Sequence, residues 1–145
     1  MTRLWTIGYE RLLAEALVAE LRAAGVRRVL DVRFRPQSRR PGMSKTRLGA
    51  LLGEHGIAYE SRRSLGTPPD LRSLYRAGRL AEAAEGFRRH LDAAAGDELD
   101  ALAAELPGGP PTALLCLEAD AAHCHRRVVA EALVRRRGDL EVIDL

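Results

Sequence analysis

Thr112-Ala113-Leu114-Leu115-Cys116-Leu117 is an unbroken apolar run. The turn Pro107-Gly108-Gly109-Pro110-Pro111 precedes it, and a polar segment beginning at Glu118 follows. A short run without alternation reads as a strand covered on both faces, which is the habit of strands in parallel sheets. Outward from it the chain alternates short β-like runs with helical ones. Toward the N-terminus, Leu4-Trp5-Thr6-Ile7 reads as a first strand and Val26 to Val32 as a second, with Ile57-Ala58-Tyr59 as a third. Leu13, Ala16, Leu17 and Leu21 recur at helical spacing and predict a helix over Glu10–Ala24, closed by Gly25. Ser44 is an expected N-cap for a helix to about Glu54. Residues 61–79 read as loop, with one helical turn near Leu71–Tyr75, because Gly66, Pro68, Pro69 and Gly78 punctuate them. Helices are expected over Leu80–Ala94, Asp97–Leu106 and His125–Arg137, and a last strand at Glu141-Val142-Ile143. Strands alternating with helices imply right-handed βαβ units. The predicted architecture is α/β: one domain over residues 1–145, a three-layer sandwich with a mostly parallel sheet of about five strands and helices on both faces.

The chain has 145 residues, 46% hydrophobic and 30% charged, so disorder is excluded as its main state. No apolar run nears the roughly 20 residues of a membrane span, so no membrane partner is expected. Met1-Thr2-Arg3-Leu4-Trp5 runs straight into apparent fold without a signal peptide, and two cysteines make no disulfide framework. The expected compartment is the cytoplasm.

In parallel sheets, ligands bind outside the carboxyl ends of the strands. The segments there are Gly8-Tyr9-Glu10, Asp31 to Ser38, Tyr59 to Arg62, and Glu118 to Arg126, which hold most of the unusual polar residues. Cys124-His125-Arg126 falls at a helix start, where exposed N–H groups bind anions and favour a thiolate. Cys124 is the candidate reactive thiol, His125 a base or anion contact, and Arg126 an anion fork. Cys116 reads as core, since free cysteine is among the most buried residue types. Asp31 and Glu118 are candidate acid/base carboxylates, and each reads equally well as half of a structural ion pair. Cys116, His123, Cys124 and His125 carry zinc-type donors, yet three are consecutive and neither C-x-x-C nor H-x-x-x-H occurs. No metal site is read from this spacing, and no cofactor is called for.

Charge is polarised. Arg33, Arg35, Arg39, Arg40, Lys45 and Arg47 have no acidic residue among them, whereas residues 82–120 hold nine acidic residues against Arg88 and Arg89. A basic loop beside a strand-edge cleft suits phosphate, nucleotide or nucleic acid. Aromatic residues make up only 4% of the chain, which argues against a base-stacking single-strand binder.

The ordered strings Thr6-Ile7-Gly8-Tyr9-Glu10, Asp31-Val32-Arg33 with Pro36 and Ser38, Pro41-Gly42-Met43-Ser44-Lys45, His55-Gly56-Ile57 with Tyr59, Leu65-Gly66, Leu115-Cys116-Leu117-Glu118 and Cys124-His125-Arg126 resemble the family catalogued as domain of unknown function 488. The resemblance covers nearly the whole chain. It implies a compact α/β fold in a prokaryotic cytosolic protein and no established reaction. Positions carried over are Gly8, Tyr9, Asp31, Arg33, Pro36, Ser38, Lys45, Glu118, Cys124, His125 and Arg126. Met43 stands where the family has phenylalanine, and Glu60 where a basic residue is often found. Val29-Leu30-Asp31-Val32-Arg33 is similar to an early strand of rhodanese-like domains, an analogy of architecture alone. The leading expectation is a cleft binding a phosphate- or carboxylate-bearing ligand through Arg33, Arg126, Tyr9, Ser38 and Lys45. The alternatives are a nucleic-acid-associated module using the 33–47 loop, and a cysteine-dependent transferase or hydrolase of rhodanese-like architecture.

Overall fold

A computed structural model describes all 145 residues. Five strands, β1 (Thr2–Gly8), β2 (Arg28–Asp31), β3 (Ala58–Ser61), β4 (Thr112–Cys116) and β5 (Leu140–Asp144), form one sheet in the order β3-β2-β4-β1-β5. Every pairing is parallel. Six α-helices cover it: α1 (Ala14–Ala23), α2 (Lys45–Glu54), α3 (Pro69–Arg76), α4 (Leu80–Ala94), α5 (Gly96–Glu105) and α6 (Arg126–Arg136). No helix is long and apolar enough to cross a membrane.

The apolar run of β4 is central and buried at all five positions. Because strand side chains alternate, Ala113 and Leu115 face one layer while Leu114 and Cys116 face the other. The first layer is α1 and α2, through Leu17, Leu21, Leu48 and Leu52. The second is α4, α5 and α6, through Phe87, Leu91, Leu99, Leu102, Val129 and Leu133. This is the three-layer α/β sandwich expected from the alternation of strands and helices.

Local boundaries differ from expectation where side chains compete for the backbone. Helix α1 starts at Ala14, not Glu10, because the Arg40 guanidinium draws the carbonyls of Tyr9 (2.6 Å), Glu10 (2.6 Å) and Leu12 (2.9 Å) to itself. Ser44 occupies the N-cap of α2, but its hydroxyl accepts from Ser38 N–H (3.0 Å) and donates to the Ser38 carbonyl (3.1 Å) rather than capping the helix. Residues 69–76 form a full helix, because Pro69 takes the first helical position, where its missing N–H costs nothing, and Asp70 complements the dipole.

Candidate thiol site at the strand edge

The carboxyl ends of β1, β2 and β4 meet around a cavity of about 140 Å³. Close approach of two chain segments shapes it. A Cβ on Gly8 would lie 1.7 Å from the Glu118 carbonyl oxygen, so only glycine lets β1 run past that loop. Tyr9 N–H to the Cys116 carbonyl (3.2 Å) and Glu10 N–H to the Leu117 carbonyl (2.8 Å) seal the contact.

The Asp31 carboxylate is fully buried and accepts from Arg33 through Nε (2.8 Å) and Nη2 (2.7 Å). Arg33 Nη1 donates to Tyr9 Oη (3.1 Å) and to the Met43 carbonyl (2.7 Å), and the Tyr59 hydroxyl donates to Asp31 Oδ2. A fork held on this many sides ties β2 to the segments after β1 and before α2. Burial, and then the bond to the Asp31 carboxylate, hold the Tyr59 phenol above its ordinary range. Its contribution to stability is therefore complete below the unfolded value of about 10 and lost as pH rises through the folded value. Tyr59→Phe is expected to cost about 1–2 kcal/mol at neutral pH in urea unfolding, with the deficit shrinking in alkaline buffer.

Arg126 is also fully buried. Its Nε donates to Thr6 Oγ1 (3.2 Å), Nη1 to the Glu118 carbonyl and Nη2 to the Ala119 carbonyl (3.2 Å). It grips the loop after β4 and is not among the residues lining the cavity. Ser38 and Lys45 belong to a separate shallow hollow formed by residues 36–47. Tyr9, Arg33, Glu118, Cys124 and His125 do line the cavity, and Asp31 stands behind Arg33.

Cys116 lines the cavity as well, beside Cys124. The reading of Cys116 as core is right about its burial and misses this second property. The turn at Ala121–His123 folds the chain back, so a strand-end cysteine meets one that precedes α6. The two sulfurs and an imidazole nitrogen of His125 all lie within 4.8 Å of one another. His125 Nε2 is 2.6 Å from the Val32 carbonyl, an acceptor only, so that nitrogen carries a proton. Nδ1 is 3.8 Å from Cys124 Sγ and 3.6 Å from Cys116 Sγ. Phe87 meets the ring edge-on at 5.3 Å and fixes its plane.

Burial works against a charged Cys124, but hydrogen bonding from Cys116 and the charge of His125 outweigh it and hold this thiol well below its ordinary range. Cys116, bonded to Cys124 and buried, stays well above. Burial opposes the His125 imidazolium, yet Cys124 and the Val32 carbonyl raise its pKa overall. Burial, then Cys124, raises the Glu118 carboxyl. The shifts run in opposite senses, favouring charge on Cys124 and His125 together and disfavouring it on Cys116.

Two sulfurs and one imidazole make a zinc-type donor set. However, Cys116 Sγ is 4.0 Å from Nε2 as well as 3.6 Å from Nδ1, so it sits beside the ring rather than along the Nδ1 lone pair. An ion on Nδ1 would need that side chain turned.

Arg35, Arg72 and Arg76 line the same cavity, and their side chains make no hydrogen bond or ion pair inside the protein. Tyr75 Oη, also at the cavity, is buried with no partner. Arg72, Tyr75 and Arg76 went unnoticed in the sequence because α3 reads there as loop. Their i, i+3, i+4 spacing, which puts all three on one helix face, was the available signal.

Fold and site together define an all-parallel α/β protein with a thiol–imidazole pair at the strand edge. The chain belongs to the family described as Domain of unknown function DUF488, whose profile matches residues 13–133. No curated protein and no solved structure matches it.

Proposed function

We propose that the cavity is the active site of a cysteine-dependent enzyme acting on a small substrate that bears a carboxylate or phosphate. Cys124 is the nucleophile. His125 holds the thiolate and carries the proton that a leaving group takes. Arg35, Arg72 and Arg76, with the Tyr75 hydroxyl, hold the anion, while Arg33 and Arg126 position the loops. The observation that carries this reading is the His125 ring, pinned at Nε2 on the Val32 carbonyl with Nδ1 toward Cys124 Sγ at the floor of a cavity with three uncommitted guanidinium groups. A fork without an internal partner keeps its full donor set for an oxyanion.

Alkylation followed by peptide mapping tests it. Cys124 is expected to react with an apparent pKa below the free-thiol value of about 8.5, moving up toward that value in His125→Gln. Iodoacetate, the charged reagent, should outpace iodoacetamide at Cys124, against its usual disadvantage, and lose that lead in the Arg72→Ala/Arg76→Ala double variant. A Cys124 that titrates as an ordinary thiol, with no preference for the anion, would rule the reading out.

A further inference from the structure

We infer that Cys116 and Cys124 form a working dithiol that reduces small carboxylate-bearing disulfides, Cys124 attacking and Cys116 resolving, which rests on the reading of Cys124 above. Each sulfur has an acid–base group beside it. Cys124 Sγ is 3.8 Å from His125 Nδ1, and Cys116 Sγ is 3.7 Å from Glu118 Oε2. A cysteine that only fills space has no use for a carboxylate on one side and an imidazole at 3.6 Å on the other. Both sulfurs open on the same cavity, and they lie within 4.8 Å of one another. Closing to the roughly 2.05 Å of a disulfide requires the two side chains to turn toward each other. Cys124 is in extended backbone, outside any helix.

The exchange balances. The Cys124 thiolate attacks one sulfur of R–S–S–R, the substrate S–S bond breaks, and Cys124–S–S–R forms. The first RS⁻ leaves with the proton from His125 Nδ1. Glu118 accepts the Cys116 proton, and the Cys116 sulfur attacks Cys124 Sγ. A Cys116–Cys124 disulfide forms, and the second RS⁻ leaves with the proton from Glu118. Two electrons pass from the dithiol to the substrate, giving two R–SH, and a small external dithiol restores the enzyme. The carboxylates of R meet the guanidinium groups of Arg35, Arg72 and Arg76, so charge sets the substrate class.

The probes are 3,3′-dithiodipropionate and the neutral bis(2-hydroxyethyl) disulfide, with thiol release followed by absorbance and the protein by mass spectrometry. The wild-type chain is expected to lose two hydrogen atoms, gain no adduct and release two equivalents of thiol. Cys116→Ser should stop at a stable mixed disulfide on Cys124 with one equivalent released, and Cys116→Ala serves if the serine variant folds poorly. The acidic disulfide should react faster than the neutral one by about tenfold or more, with the difference lost in the Arg72→Ala/Arg76→Ala variant. A wild-type chain that keeps the same stable adduct as Cys116→Ser overturns the role of Cys116 while leaving the Cys124 nucleophile standing. A Cys124 that forms no adduct in any variant overturns both.

Discussion

Replacing Asp31 with alanine is expected to lower the unfolding free energy by about 3–5 kcal/mol, the cost of stranding a buried charge. The Arg33 guanidinium would lose its two shortest carboxylate bonds, at 2.7 and 2.8 Å, in a place with almost no access to water. Tyr59 would lose its acceptor at the same time. For a chain of this size the melting temperature should fall by roughly 3–4 °C per kcal/mol. A double variant, Asp31→Ala with Arg33→Met, separates pairing from burial. Removing both charges should recover part of the loss, because an apolar replacement of a buried pair is often tolerated. Equal instability of single and double variants in urea unfolding would show that the pair matters for its shape rather than its charge.

Gly8→Ala is expected to be at least as damaging, at about 3 kcal/mol or more, the upper end of overpacking costs. The new methyl would meet the Glu118 carbonyl at 1.7 Å, and both partners are backbone, so no side chain can yield. Relief requires separating β1 from the loop that Arg126 holds and breaking the bonds from Tyr9 and Glu10 to that loop. Glu118 would move with it, so Cys116 reactivity should change even where the variant folds. Gly53→Ala is the control. Nothing lies within 4 Å of a Cβ there, in the last turn of α2, so it should gain up to about 0.5–1 kcal/mol. Thermal melts of the two variants should move in opposite directions.

The layered architecture was legible because β4 is apolar from Ala113 to Cys116 and the flanking helices carry apolar stripes, and both signals are local. The site was legible only in part. Cys124 and His125 stood out as a helix-start pair, and that is where they lie. Cys116 looked like core because a strand that is buried throughout gives no hint that its last residue opens on a cavity. Arg126 looked like an anion contact because a guanidinium at a helix start usually is one. Here three acceptors from β1 and the loop after β4 converge on it, a meeting no spacing reveals. The basic stretch from Arg33 to Arg47 divides in the same way. Arg33 and Arg40 are spent on carboxylate and carbonyl partners inside the protein, while Arg35 faces the cavity. The prolines at 68 and 69 hid α3, and with it the two arginines that complete the cavity's charge.

The parallel pairing of β1 with β5 has a practical outcome for anyone handling the molecule. Thr2 lies opposite Leu140, and Thr6 opposite Asp144, so the two chain ends point to opposite poles of the sheet. Leu145 N–H donates to the carbonyl of Thr6 at 2.8 Å, the same threonine whose hydroxyl meets Arg126. An affinity tag or fluorophore joined after Leu145 therefore hangs at the reactive pole, within reach of the loop that frames the thiols, whereas one joined before Met1 sits a full strand length away.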